Sequence, residues 1–190
     1  MQKSGEVCSI VQNNVYLCRQ NFFVMAGFIG SYECTVDSKG RVIVPAPLKR
    51  QLLPFSDGGF VVKRSVFSPC LELYVRQEWN KQRMMVEQLS PFKKKNKDFT
   101  RAFFAGIKEV DMDATGRILL AKDLLAYSGI SKDVTMASAG NIIEIWDKTA
   151  YENTVAETNL GFGELAEDVM ENVKIPNAEI PSSYSEITYS

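Results

Sequence analysis

The chain has 190 residues, a formal net charge of −1, 45% apolar and 24% charged residues, the balance of a water-soluble globular protein with one or two modest cores. Histidine is absent, which removes Ser/His/Asp and Cys/His nucleophile systems and every His-ligated metal site; no catalytic residue, metal or cofactor is expected. No apolar run approaches the roughly 18 to 20 residues of a membrane span, and the near-zero charge hides a partition in which residues 152–190 carry eight acids against Lys174 (−7), leaving +6 on residues 1–151.

In chain order, residues 1–24 have few charges and no clean period, and Arg19 and Gln20 break what would be the apolar part of a signal peptide. Met25 opens the organised part so neatly that it is a candidate start, with the preceding stretch an extension. Cys8, Cys18, Cys34 and Cys70 show no C-x-x-C spacing, which suggests neither a metal site nor a disulfide framework and fits a reducing cytoplasm. Residues 30–77 are expected to read strand, turn, strand, helix, strand, strand. Ser31 to Val36 and Arg41 to Val44 would form a hairpin, and Pro47 suits the first turn of a short helix. Phe60 to Ser65 and Cys70 to Val75 would be half-buried strands.

A helical spacer is expected over residues 78–105. Trp79, Gln82, Val86 and Leu89 stripe one helix, and Phe99, Ala102 and Phe103 a second. Lys93, Lys94, Lys95 and Lys97 would lie in the loop between them, either simply solvated or in contact with phosphate. Residues 106–149 repeat the first order, with a helix closed by Gly129 and strands near Val134 to Ala137 and Ile142 to Trp146. Residues 150–190 form an acidic tail. Leu160, Phe162, Leu165, Val169, Met170 and Val173 would stripe a helix that docks on the body or a neighbouring subunit, before a flexible end from Pro176.

The two folded stretches are copies. Asp37-Ser38-Lys39-Gly40-Arg41 returns 76 residues later as Asp113-Ala114-Thr115-Gly116-Arg117. At the same offset Phe28, Gly30, Glu33 and Leu48 meet Phe104, Gly106, Glu109 and Leu124, making seven ungapped identities. Gly40 and Gly116 stand where a tight turn needs positive φ, and Asp37 and Asp113 can accept hydrogen bonds from amides two or more residues on. Arg41 and Arg117 then sit just past the bend as paired anion-reading groups. Two uses of these arginines stand side by side: each pairs with its own Asp to hold the turn, or each grips nucleic acid. Glu72 and Glu144 occupy matching places in the last strand of each copy, as binding groups or as partners for a cation of the other copy.

Phe28-x-Gly30, the Val36-Asp37-x-Lys39-Gly40-Arg41-x-Ile43-x-Pro45-x-x-Leu48 run, Leu71-Glu72-Leu73-Tyr74 and Trp79 resemble the first half of the bacterial MraZ family. Asp113-x-x-Gly116-Arg117-Ile118 and Ile143-Glu144-Ile145-Trp146 resemble its second half, so the resemblance spans Met25 to Tyr151. It implies a mainly β protein with short helices (α+β), built from two tandem SpoVT/AbrB swapped-hairpin β-barrel units, a helical spacer and a C-terminal helix. It also implies a cytoplasmic, nucleoid-associated transcriptional regulator. Such a regulator assembles as a ring of identical subunits and binds tandem repeats in promoter DNA of the division and cell-wall gene cluster. The family's D-x-x-x-R motif falls on Asp37/Arg41 and Asp113/Arg117. The expected DNA-binding residues are therefore Lys39, Arg41, Thr115 and Arg117, on turns formed by Asp37, Gly40, Asp113 and Gly116. Two positions depart from the pattern: Thr115 replaces a Lys, which leaves the second turn less cationic, and Ala121 replaces a Pro. The rival reading is an antitoxin-like interaction module that binds a protein partner through the tail around Leu165 to Val173, without enzymatic activity or a small-molecule ligand.

Overall fold

A computed structural model describes residues 27–171 and 173. The extension of residues 1–24, the candidate start at Met25 and the end beyond Pro176 lie outside the described residues. The described chain divides after Tyr151, and the larger part has mixed α+β architecture with antiparallel pairing throughout.

Its strands are β1 (Ser31–Thr35), β2 (Arg41–Ile43), β3 (Phe60–Arg64), β4 (Leu71–Val75), β5 (Lys108–Val110), β6 (Arg117–Leu119), β7 (Asp133–Ala139) and β8 (Ile142–Asp147). Helix α1 (Ala46–Leu52) follows β2, α2 (Arg76–Glu87) and α3 (Lys94–Phe104) separate the halves, and α4 (Lys122–Ser128) follows β6. One six-stranded sheet has the order β1-β7-β8-β4-β3-β5, and β2 and β6 form a separate two-stranded ribbon. Each half thus sends its first strand to the outer edge of the other half's pair: β1 runs beside β7, and β5 beside β3. The halves also meet in the middle, where β4 pairs with β8.

This exchange corrects the expected hairpin. The chain does reverse at Asp37–Arg41, but past the single Val36–Val42 bridge its two arms part, β1 to β7 and β2 to β6. A β1–β2 ladder would leave each copy to cover its own apolar face; crossing over lets both copies share one core. That core contains Phe60, Val62, Leu71, Leu73, Ile143, Ile145 and Met136 from the sheet, Val42 and Ile118 from the ribbon, and Leu48 and Leu124 from α1 and α4, all at most 1% exposed. Pro lies in the first turn of α1, and α4 closes on Gly129 in the left-handed region (φ 67°), as the sequence predicts.

The other face of the sheet is covered by aromatics. Tyr74, Trp79, Phe103 and Phe104 pack on Val61 and Ile142, with Trp79 stacked on Phe103 at 5.9 Å between ring centres. Under this cover Lys63, only 2% exposed, meets Glu72 at 2.7 Å and gives a hydrogen bond to the Arg64 carbonyl at 2.9 Å. The cation for Glu72 therefore comes from the neighbouring strand of its own half. Glu144 stands directly opposite Glu72 across β4 and β8 and accepts from the Trp146 indole N–H at 2.9 Å. The lysine run also differs from expectation: Lys94, Lys95 and Lys97 belong to the first turns of α3, not to a loop. Lysine is a good helix former, and the Phe99 and Phe103 stripe extends the helix back over it.

In the tail, α5 (Lys148–Asn159), which the sequence reading missed, precedes α6 (Phe162–Met170). Phe162, Leu165, Val169 and Met170 lie on α6 and are exposed. Among the described residues no helix is long and apolar enough to cross a membrane, and no group of three or more His, Cys, Asp or Glu side chains could hold a metal ion.

Candidate nucleic-acid interface

Each repeated turn is closed by the same hydrogen bonds. In the first, Gly40 N–H donates to the Asp37 carbonyl and Asp37 N–H to the Arg41 carbonyl, both at 2.9 Å. In the second, Gly116 donates to Asp113 and Asp113 to Arg117, both at 2.8 Å. Gly40 has φ 84° and Gly116 φ 82°, the region where a side chain is strained. A Cβ on Gly40 would also stand 2.5 Å from the Leu120 carbonyl oxygen.

The aspartates knit turn to arginine. Asp37 Oδ1 accepts from the amides of Lys39 and Arg41 at 2.9 Å, while its Oδ2 takes Arg41 Nε at 2.7 Å and Nη2 at 2.6 Å. Asp113 Oδ1 accepts from the Thr115 amide at 2.9 Å, the Thr115 hydroxyl at 2.6 Å and the Arg117 amide at 2.9 Å, and its Oδ2 takes Arg117 Nε at 2.8 Å. These donors lower both carboxyls. Asp37 is held at about 2, chiefly by the Arg41 amide and then the Arg41 side chain. Asp113 is held lower still, chiefly by the Thr115 hydroxyl and then the Arg117 amide. Both aspartates remain ionised at neutral pH, holding Arg41 through Nε and Nη2 and Arg117 through Nε, and a guanidinium has five N–H donors, more than these contacts use.

The ribbon brings the two arginines together. Arg41 pairs with Leu119 and Arg117 with Ile43, with Val42 opposite Ile118 between them. Val42 and Ile118 point into the core, 0% and 1% exposed. Strand alternation then puts Arg41, Ile43, Arg117 and Leu119 on the outer face, where Ile43 is 60% and Leu119 57% exposed. The arginines occupy one diagonal of this four-residue face and the aliphatics the other, with diagonal neighbours about 7–8 Å apart. The ribbon is locked at both ends, because Leu120 N–H donates to the Gly40 carbonyl at 2.8 Å and Val44 N–H to the Gly116 carbonyl at 2.9 Å.

Lys39 and Thr115 are exposed on the turn tips. A fourth cation, unforeseen from sequence, completes the set: Lys49 of α1 reaches the second turn, where a Cβ on Gly116 would stand 2.7 Å from its Nζ. The corresponding neighbour of Gly40 is Leu125 of α4, 3.4 Å from such a Cβ. Lys49 and Leu125 are 76 residues apart, so the repeat itself predicted the position but, lacking identity there, drew no attention to it.

The family model described as "MraZ protein, putative antitoxin-like" matches the chain twice, over residues 28–102 and 103–172. Each match contains one turn. The chain belongs to the MraZ family. Among its relatives, the Transcriptional regulator MraZ of Christiangramia forsetii is 51% identical over 148 residues, covering 78% of this chain and 96% of that protein. The protein of the same name from Flavobacterium psychrophilum is 50% identical over 149 residues, 78% of this chain and 95% of its own length. That of Cytophaga hutchinsonii is 39% identical over 150 residues, 79% and 99% respectively. The MraZ match covers the ribbon, both turns, the exchanged strands and Lys49 alike.

Proposed function

We propose that this MraZ-family chain is a transcriptional regulator that binds double-stranded promoter DNA through the outer face of the β2–β6 ribbon. A two-stranded ribbon fits the major groove of B-DNA, and an arginine fork can pair with guanine O6 and N7, each such contact discriminating by about 1–3 kcal/mol. Arg41 and Arg117 read bases, held in pose by Asp37 and Asp113. Lys39 and Lys49 contact phosphate on either side, which adds affinity with little sequence information, while Thr115 stands at the tip of the second turn against the duplex with its hydroxyl proton already given to Asp113. The observation that supports this reading is that the strand register puts both arginines on the same face of the ribbon, each held by its own aspartate.

The finer picture rests on the family resemblance. Residues 30–77 and 106–149 act as two SpoVT/AbrB units, a reading supported by their exchange of first strands. Subunits close into a ring in the cytoplasm at the nucleoid, and the ring repeats the ribbon against tandem boxes upstream of the division and cell-wall genes. Several weak contacts at fixed spacing then combine through effective concentration, which explains how a chain of net charge −1 holds a polyanion.

The test is anisotropy of a labelled duplex from the region upstream of the protein's own gene. Arg41→Ala is expected to weaken binding far more than it lowers the melting temperature, with particle size unchanged. Retained binding with a large drop in stability would assign the arginine to the scaffold alone. The exposed apolar stripe of α6 favours a second reading, the antitoxin-like module that captures a protein partner. No retention on DNA even at low salt moves the assignment there.

A further inference from the structure

The outer face of the ribbon carries two large aliphatic side chains, Ile43 and Leu119, that no neighbour covers beyond about half of their area. Single exposed aliphatics are ordinary on a protein surface. These two are not independent: they occur at matching positions of the two copies and lie diagonally between Arg41 and Arg117. With the DNA-binding reading of this ribbon as its premise, we propose that Ile43 and Leu119 read the 5-methyl groups of thymine in the major groove, so that the site recognises A·T pairs beside the guanines gripped by the arginines.

The chemistry of the face selects its occupant. Arg41 and Arg117 lie within it, Lys39 and Lys49 border the two turns, and the nearest carboxylates, Asp37 and Asp113, are already turned to the arginines. A second copy laid on this face across a two-fold axis would bring the same cations against it. A duplex brings phosphates to the cations and, in the major groove, one apolar group on each A·T pair, the thymine methyl. The checkerboard matches that mixture: forks for guanine on one diagonal, methyl-sized apolar contacts on the other. Because Val42 and Ile118 anchor the ribbon from beneath, Ile43 and Leu119 can be changed without opening the core.

The experiment compares two duplexes spanning the region upstream of the protein's own gene, one with thymine and one with deoxyuridine throughout, bound by the full chain and by Ile43→Ala/Leu119→Ala. The wild type is expected to bind the uracil duplex more weakly by about four-fold for each methyl that loses its contact. The variant should bind the two duplexes equally, with its salt dependence unchanged. Ile43→Val, which keeps an apolar contact, should restore part of the preference. Equal binding of both duplexes by the wild type, or the same preference in the double variant, overturns the methyl reading and leaves DNA binding intact. A change of particle size in the variant also overturns it, by making the face a contact between copies. Binding to neither duplex at low salt overturns the DNA reading and this one together.

Discussion

At the first turn Lys39 belongs to the same five residues as Arg41; at the second, Thr115 takes that place and the Lys49 ammonium comes over from α1 to lie by Gly116. Counting only these groups, the first turn carries Asp37, Lys39 and Arg41 for a charge of +1, and the second reaches the same +1 only when Lys49 is added to Asp113 and Arg117. The skeletons match bond for bond, yet one turn is cationic by its own sequence and the other by tertiary structure. Substitution inside a repeat is tolerated when the fold brings a like charge to the same point, so the two turns are to be compared as sites and not as strings.

The largest expected effect tests their equivalence. Arg41→Ala and Arg117→Ala should each weaken promoter binding by about 1–3 kcal/mol, and the double variant by roughly 30-fold or more. A loss confined to Arg41→Ala in titrations at one salt concentration would break the symmetry of the two sites. The glycines should divide the turns instead. Gly40→Ala places a Cβ against the Leu120 carbonyl, whereas the atoms nearest a Cβ at Gly116 are those of the Lys49 side chain, which can swing aside. Both bear the left-handed strain, so denaturant unfolding should show a cost of about 1–2 kcal/mol at Gly116 and about 2–4 kcal/mol at Gly40. Equal costs would mean that the β2–β6 contact yields more easily than its backbone bonds suggest.

Smaller still is the effect of the supplementary cations. Lys39→Gln and Lys49→Gln should each reduce the slope of log K against log salt by about 0.9 if each meets one phosphate. A slope unchanged by Lys49→Gln would leave the second turn less cationic in practice. Thr115→Lys should steepen the slope in either case.

What could be read from sequence divides along the same line as the two turns. Asp37, Gly40 and Arg41 were legible because their hydrogen bonds span at most four residues, so spacing alone constrains them. The strand exchange was not legible from local pattern and was implied only by the family resemblance: alternation in Ser31 to Thr35 sets which side chains face inward, but which edge the strand joins is decided by burial summed over the whole sheet. Lys49 was hidden for the same reason, since nothing local distinguishes a lysine on a short helix from one that reaches the other half. Lys63 could be placed on a strand, but pairing it with Glu72 needed the β3–β4 register. Ile43 and Leu119 stand at the repeat's offset of 76 residues, both apolar, and only the ribbon shows that this pair faces outward while Val42 and Ile118 face in.

Acid should separate the turns last and least. A carboxyl whose folded-state pKa is depressed contributes stability that is fully present above its unfolded value, about 4, and is lost as pH falls through the folded value. For Asp37 that window runs from about 4 down to about 2; for Asp113, which has the Thr115 hydroxyl as an extra donor, it extends lower. Asp37→Asn keeps an oxygen for the amides of Lys39 and Arg41 but removes the charge facing the guanidinium. The gap in melting temperature between wild type and Asp37→Asn should therefore be constant from pH 8 to 5 and close as pH approaches 2, while the gap for Asp113→Asn is still open there. If Thr115→Ala brings the Asp113 gap closed at the same pH as that of Asp37, the hydroxyl is the cause of the difference. If the Asp113 gap is unmoved, the asymmetry belongs to the arginine side of the pair.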